Sequence, residues 1–451
     1  MARAAVMQDS LGNAIHVADD ASVAAVNDFV EGFIACEARV VNILVAAEHD
    51  DSVIVQAAAA AVQLFAESPA GVLAARPHLA RAAASKRPAS ERERRFLRAV
   101  QAWADNDIAR SIALLAEQVQ QHPRDLAALK LGQYLSFNLG DSPAMLRLAL
   151  AVQDTAADVP YLHGMTAFAY EQCHLLREAE GAARRAIGMC RKEPWAQHAL
   201  AHVMITEGRI EEGRAFMQDA SATWVGLNSF METHNWWHLA LFLIEQGRDD
   251  EALALYDAHV WGVCKEYSQD QIGAVSLLAR LELAGVDVGD RWQDVALYLA
   301  PRTHDQVQPF LDLQYLYGLA RAGRPEADEL LRAVEAFAPQ APTLTRATWT
   351  RVAVPACRGL LAYARGEVSR AVDELGIALP RLVEIGGSHA QRDLFEQVYV
   401  AALVKSGQLA AAQNLLQPRA NASPESLRLK RQLAPVYAGL GLGPLAASTT
   451  Q

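Results

Sequence analysis

Residues 236–256 read WWHLALFLIEQGRDDEALALY, and this stretch decides the fold. Two apolar helical segments flank Gly247, and each segment carries an alanine where a neighbouring helix would cross it closely. When Gly247 is numbered as position 15, the other marker positions are Trp236 at 4, Leu239 at 7, Ala240 at 8, Leu243 at 11, Ala252 at 20 and Tyr256 at 24. Because positions 8 and 20 face each other, the stretch predicts a pair of antiparallel helices with Trp236 in its core.

The same numbering recurs along the chain and matches the tetratricopeptide frame. Position 15 falls on nine residues, Asn106, Gly140, His174, Gly208, Gly247, Gly285, Gly323, Gly366 and Gly407. The first three steps are 34 residues each, and the later steps are between 38 and 43. A turn at this position favours positive φ, which glycine adopts without strain. The pattern predicts an all-α fold, a closed or nearly closed right-handed superhelix of antiparallel helix pairs.

The chain divides into three predicted regions. Residues 1–85 are expected to form an N-terminal helical cap, because they are less regular and are interrupted at Asp50-Asp51-Ser52. Residues 86–423 form the tetratricopeptide-like array, and residues 424–451 form a C-terminal capping helix and tail. No segment shows the alternation that predicts a β-strand.

Composition excludes several classes of protein. The net charge is −11 and no stripe of Lys and Arg occurs, so a nucleic-acid partner is not expected. The five cysteines are widely spaced without a CxxC motif, which favours free thiols in a reducing compartment. Neither a signal peptide nor an apolar run of about 18 residues is present. We therefore expect a cytoplasmic protein without a membrane partner.

Several sequence blocks resemble the tetratricopeptide repeat protein 38 family. They are DSLGN at 9–13, YLHGM at 161–165, WAQHALAH at 195–202, HNWWHLAL at 234–241, LAGVDVGDRW at 283–292 and GGSHAQRD at 386–393. The block at 234–241 is the most specific of them, and together they cover nearly the whole chain. The resemblance implies an α-superhelical repeat protein and implies no particular reaction.

Imidazoles and aromatic rings concentrate at positions that line the concave face of such an array. These groove positions fall on the first helix of each pair, and three consecutive pairs contribute. The groove-lining candidates are Tyr161, Phe168, Glu171, Trp195, His198, His202, His234 and Trp237, and His163, His238 and His389 complete the ligand-binding set. Rings combined with directional hydrogen-bonding groups are typical of a ligand site, so we predict binding of a peptide or a small polar ligand.

Two histidine pairs also suggest a divalent metal. His198 and His202 are four residues apart, as are His234 and His238, so each pair lies on one face of its helix. Two such pairs on neighbouring helices would supply two to four nitrogen ligands, with Glu171, Asp270 or Asp305 as a further carboxylate ligand. The alternative is that the histidines pack and hydrogen-bond in a polar groove. The metalloprotease signature with a glutamate between its histidines is absent.

Two other functions stay open at this stage. An enzyme, with or without the metal, would use the same histidines, and His389 precedes Asp393 by one turn. No nucleophile elbow or phosphate loop occurs, however, and no residue is assigned as catalytic. A protein-assembly scaffold would place its distinctive residues on the convex face, whereas here they are predicted inside. The sequence leaves the ligand and the oligomeric state open.

Overall fold

A computed structural model describes residues 7–448 of the 451-residue chain. Helices make up nearly all of its regular structure. The exception is an antiparallel pair of strands, β1 (Met7–Gln8) and β2 (Ala14–Ile15), joined through a turn in which Gly12 has a φ of 84°. The sequence predicted no strand, because two residues are too few to show an alternating pattern.

The described chain forms two compact units, and the first contains the residues up to Ala199 together with Thr223–Met231. Its helices are α1 (Asp20–Ala35), α2 (Ile43–His49), α3 (Val53–Leu64), α4 (Pro69–Ala84), α5 (Glu91–Ala104), α6 (Ile108–Gln121), α7 (Leu126–Asn138), α8 (Ser142–Leu150), α9 (Pro160–Gln172) and α10 (Leu176–Met189). Helix α11 (Pro194–Thr206) begins in the first unit and ends in the second. Consecutive helices pack together as the pairs α3 and α4, α5 and α6, α7 and α8, and α9 and α10.

The second unit contains Leu200–Ala222 and the residues from Glu232 onward. Its helices are α12 (Ile210–Ala220), α13 (Ser229–Glu245), α14 (Asp249–Leu255), α15 (Ser268–Leu283), α16 (Arg291–Leu299), α17 (Pro309–Arg321), α18 (Glu326–Phe337), α19 (Arg346–Thr348), α20 (Val354–Ala364), α21 (Val368–Ala378), α22 (His389–Lys405), α23 (Leu409–Ala422), α24 (Leu427–Gly439) and α25 (Gly443–Ser448). The first residues of α13, up to Met231, belong to the first unit. Two π-helical segments, Tyr256–Val260 and Trp349–Ala353, account for part of the longer spacing in this unit.

The nine predicted turn residues are confirmed. Each of them has a positive φ, between 57° and 95°, including the two that are not glycine, Asn106 and His174. Each lies between two helices of a pair, where the chain must reverse within a few residues. The structure therefore confirms the all-α class of antiparallel helix pairs repeated along the chain.

In the pairs α9–α10 and α17–α18, the first helix is buried over most of its surface, and the second helix is buried on one face. In the first unit, ten of the 13 residues of α9 are buried, but only three of the 14 in α10. In the second unit, 11 of the 13 residues of α17 are buried, and three of the 12 in α18. The positions expected to line a groove are thus enclosed in the interior, which differs from a groove open to solvent.

The second unit closes on itself. Helix α15 packs against α22, and side chains of α24 contact the end of α13 and the start of α14. Arg428 of α24 places its Nε 2.6 Å from Oε1 of Glu245 at the end of α13, and Ser426 donates a hydrogen bond to the same carboxylate. Arg431 forms an ion pair of 2.6 Å with Asp249. These contacts hold the final helices of the unit against α13 and α14.

The division into two units does not test the predicted boundaries of the cap, array and tail, which stay predictions. No helix within residues 7–448 combines the length and the apolar character needed to cross a membrane.

Candidate histidine site of the second unit

Four histidines of the second unit come together from three helices: His202 of α11, His234 and His238 of α13, and His389 of α22. We call them the histidine cluster. The ring centroid of His202 lies 4.5 Å from that of His238 and 5.2 Å from that of His389. The rings of His234 and His238 are 4.7 Å apart, and their Nε2 atoms are separated by 3.2 Å.

Local sequence fixes the position of each ring. His234 and His238 are one helical turn apart, so α13 presents both on the same side. His389 is the first residue of α22, where a capping box sets the start of the helix. In that box, the Gln391 backbone N–H donates to Ser388 Oγ at 3.2 Å, and the Ser388 N–H donates to Gln391 Oε1 at 2.9 Å. The cap therefore fixes where the His389 side chain leaves the backbone.

Three of the four histidines in the cluster are buried, and burial determines the charge of His234. His202 and His238 are 0% exposed, His234 is 7% exposed, and His389 is half-buried. Burial, assisted by the neighbouring His202, lowers the pKa of His234 to about 3. His234 is therefore a neutral imidazole at physiological pH, with one ring nitrogen that accepts and one that donates.

Trp237 packs against His234, and Arg280 packs against Trp237 in turn. The indole of Trp237 stacks on His234 with centroids 5.1 Å apart, and the Arg280 guanidinium lies 5.2 Å from the Trp237 ring. Arg280 is buried and donates a hydrogen bond of 2.7 Å from Nη2 to the carbonyl oxygen of Ala390, beside His389. Burial lowers the Arg280 pKa to about 10, so the side chain stays charged. Sequence analysis missed Arg280, although a single arginine in the apolar centre of α15 was a usable signal.

The two adjacent tryptophans differ from their predictions, which placed Trp236 in the core and Trp237 on the concave face. Trp236, which was predicted to be core, is half-buried at the edge of the core and stacks on His259 with ring centroids 4.0 Å apart. Trp237 is 1% exposed and lies in the core. His259 belongs to the π-helical segment after α14, whose wider turn brings this ring against Trp236. The prediction that Trp236 occupies the core was wrong.

Six of the predicted site residues lie in the first unit: Tyr161, His163, Phe168, Glu171, Trp195 and His198. Nε2 of His163 donates to the carbonyl oxygen of Ala157 at 2.9 Å. Glu171 is buried and accepts a hydrogen bond of 2.6 Å from Gln172. Burial raises the pKa of Tyr161 above its ordinary value.

The remaining predicted residues of the first unit form an aromatic group. The ring of Trp195 lies 4.9 Å from those of Phe168 and His198, and the imidazole of His198 is nearly parallel to the indole. Lys130 lies 4.9 Å from the centre of the Trp195 ring. His198 precedes His202 by one turn on α11, as predicted, but its ring contacts in the first unit are aromatic.

The carboxylates suggested as further metal ligands have protein partners. Asp270 accepts hydrogen bonds from Thr233 Oγ1 at 3.4 Å and from the Cys264 backbone N–H at 3.1 Å. Asp305 forms an ion pair of 3.2 Å with Arg302. Within the second unit, imidazole nitrogens are therefore the groups that the structure gathers for a ligand.

Comparison with known proteins adds little to this geometry. The chain matches no family model. One solved structure, that of Naa15/Naa10 bound to HypK-THB, is similar over 95% of this chain and 67% of that chain, with 13% sequence identity and a TM-score of 0.25. At that identity and score the likeness carries no argument about what this chain binds. The resemblance to the tetratricopeptide repeat protein 38 family stays a prediction.

Proposed function

We propose that this protein binds a small polar ligand through the imidazole nitrogens of the histidine cluster, whose four residues belong to the second unit. The observation that carries the proposal is the contact of four imidazole rings, supplied by three helices, at a buried place. Burying polar rings costs free energy unless their nitrogens are bonded. A fold whose sole requirement were a packed core would use apolar side chains at these positions.

The burial of the histidine cluster favours a ligand of few atoms over a peptide. An extended peptide is recognised along an exposed edge or groove, whereas the side chains of His202 and His238 have no exposed surface. His389 is half-buried and forms the part of the cluster nearest to solvent.

Two buried side chains on α13 have polar atoms without a hydrogen-bond partner in the described part of the chain, which supports the binding of a polar ligand near them. Asn235 is 0% exposed, and neither its side-chain nitrogen nor its oxygen has a hydrogen-bond partner among the described residues. The indole Nε1 of Trp237 also has none within the described range. Each unsatisfied buried group costs about 1–3 kcal/mol, and the Trp237 ring contacts both His234 and His238, which fits a polar binding region there.

An enzyme that uses the same histidines, a peptide ligand and an assembly scaffold stay alternative predictions. The same holds for the specific family resemblance and for a cytoplasmic location.

The test compares the masses of the untagged protein measured under native and denaturing conditions. We expect the wild type to carry an excess mass that denaturation removes. His202→Gln should lose this mass, while His78→Gln, which removes a half-buried imidazole of the first unit outside the predicted site, should retain it. Equal native and denatured masses for the wild type would overturn the proposal, and so would an excess mass that His202→Gln keeps in full.

A further inference from the structure

We infer that His202, His234 and His238 form a binding site for a transition-metal ion of the Zn²⁺ class. This inference rests on the proposed function and names the ligand of that site. The carrying observation is geometric: one ring nitrogen from each of the three histidines lies within 4.8 Å of the other two. All three residues are buried and belong to the second unit.

The distance between the ring nitrogens of His234 and His238 on α13 matches the distance between two ligands of one tetrahedral metal ion. A Zn–N bond is about 2.0–2.1 Å in a tetrahedral site, which places two coordinating nitrogens about 3.3 Å apart. The Nε2 atoms of His234 and His238 are 3.2 Å apart. Two of the three ligands therefore already stand at coordinating distance from each other.

The third ligand needs a small adjustment. Since the nitrogens lie within 4.8 Å of one another, His202 has to approach by at most about 1.5 Å to reach a tetrahedral edge of about 3.3 Å. Rotation of one imidazole about its side-chain torsions covers this distance without a movement of α11. His202 also contacts His389, whose ring lies 5.2 Å away and can orient the His202 imidazole from its other side.

The chemistry of the donors selects the class of metal. Neutral imidazole nitrogens suit Zn²⁺, Cu²⁺ and Ni²⁺, whereas Mg²⁺ and Ca²⁺ require oxygen ligands. Asp270, a predicted carboxylate ligand that belongs to the second unit, already accepts hydrogen bonds from Thr233 and Cys264. Three imidazoles match the ligand set of zinc sites held by three histidines.

The histidine pair on α13 is also suited to this role by its helical spacing. Residues at i and i+4 on one helix bind a single metal ion in established helical zinc sites. The third ligand comes from another helix, so the ion would join α11 to α13 in the second unit. Metal binding should then stabilise the folded protein by about 2.7 kcal/mol when the free ion is at about 100 times its dissociation constant.

The experiment uses the full, untagged chain, stripped of metal by a chelator and titrated with Co²⁺, which Zn²⁺ then displaces. We expect one equivalent of Co²⁺ with the strong visible absorption of a four-coordinate ion, and its loss on addition of Zn²⁺. His234→Gln should weaken Co²⁺ binding at least about 100-fold. His78→Gln, which removes a half-buried imidazole of the first unit outside the predicted ligand-binding set, is the matched control and should bind Co²⁺ as the wild type does.

The outcomes separate this inference from the proposed function. Binding of much less than one equivalent by the wild type, or equal binding by His234→Gln, would overturn the metal site. If the wild type then still carries an excess mass of organic origin that His202→Gln lacks, the proposed function stands and the metal inference alone is wrong. If His234→Gln does not fold, the wild-type stoichiometry and the cobalt spectrum decide the question without it.

Discussion

Replacing Glu193 with glutamine measures the cost of ionising a carboxyl group in the interior of the first unit. Glu193 is 0% exposed and lies just before α11. One carboxylate oxygen accepts the backbone N–H of Ala196, and the backbone of Gly164 lies directly against the same group. Its other oxygen, Oε1, has no hydrogen-bond partner among the described residues. Glutamine has the same shape and keeps an acceptor for the Ala196 N–H.

The magnitude follows from the pKa of this group. Burial raises the Glu193 pKa from 4.5 to about 8, against the attraction of Lys130 and the hydrogen bond from Ala196. The folded protein therefore holds a proton that the unfolded chain releases above pH 4.5, and stability falls as the pH rises toward 8. Between pH 5.5 and pH 7.5 this linkage removes about 2.5 kcal/mol from the wild type. Glutamine does not titrate, so Glu193→Gln does not lose this stability as the pH rises.

The assay is urea unfolding of the wild type and Glu193→Gln at both pH values, with Glu48→Gln as the control because that side chain is 71% exposed. The stability of Glu193→Gln relative to the wild type should rise by about 2.5 kcal/mol between pH 5.5 and pH 7.5, and that of Glu48→Gln should not change. A rise of less than about 0.5 kcal/mol would refute the reasoning, since Glu193 would then ionise in the folded protein much as it does in water.

Two further substitutions test packing. Gly213→Ala should lower the free energy of unfolding by about 1–3 kcal/mol, because its new methyl group would meet the ring of Phe242. Gly181→Ala, whose methyl group would point into open space on α10, should raise it by about 0.5–1 kcal/mol. Thermal unfolding compares the two variants, and equal effects would contradict the close contact at Gly213. Arg280→Met should cost about 2–4 kcal/mol in urea unfolding, because it leaves the Ala390 carbonyl without its buried donor. A loss below about 0.5 kcal/mol would show that this contact does not hold α22 in place.

The turns could be predicted from sequence because their cause is local. A chain that reverses between two helices needs a residue with positive φ, and the spacing of small residues around it repeats. That is why Asn106 and His174 could be assigned to turns without a glycine, and both have φ near 57–58°. The environment of Trp236 was missed because it depends on a π-helical segment 20 residues later, which no periodicity indicates.

The histidine cluster could be predicted only in part. The pairing of His234 with His238 follows from helical spacing alone. The approach of His389 to His202 depends on the closure of the second unit, in which α22 packs against α15. Arg280, which links those two helices beside His389, was missed for the same reason. The burial of His202 and His238 was not predicted, because the repeat frame assigns residues to a concave face without stating how deeply each one is covered.

Closure of the second unit changes how this part of the chain should come apart. An open array of helix pairs loses structure from its ends, since each terminal pair has one neighbour instead of two. In the second unit, Glu245 and Asp249 near its beginning are held by Arg428 and Arg431 near its end. Helix α24 therefore has a second neighbour, which the last helix of an open array would lack. Opening at any one pair has to break two interfaces at once, so the unit should behave as a single cooperative block rather than as a row of repeats.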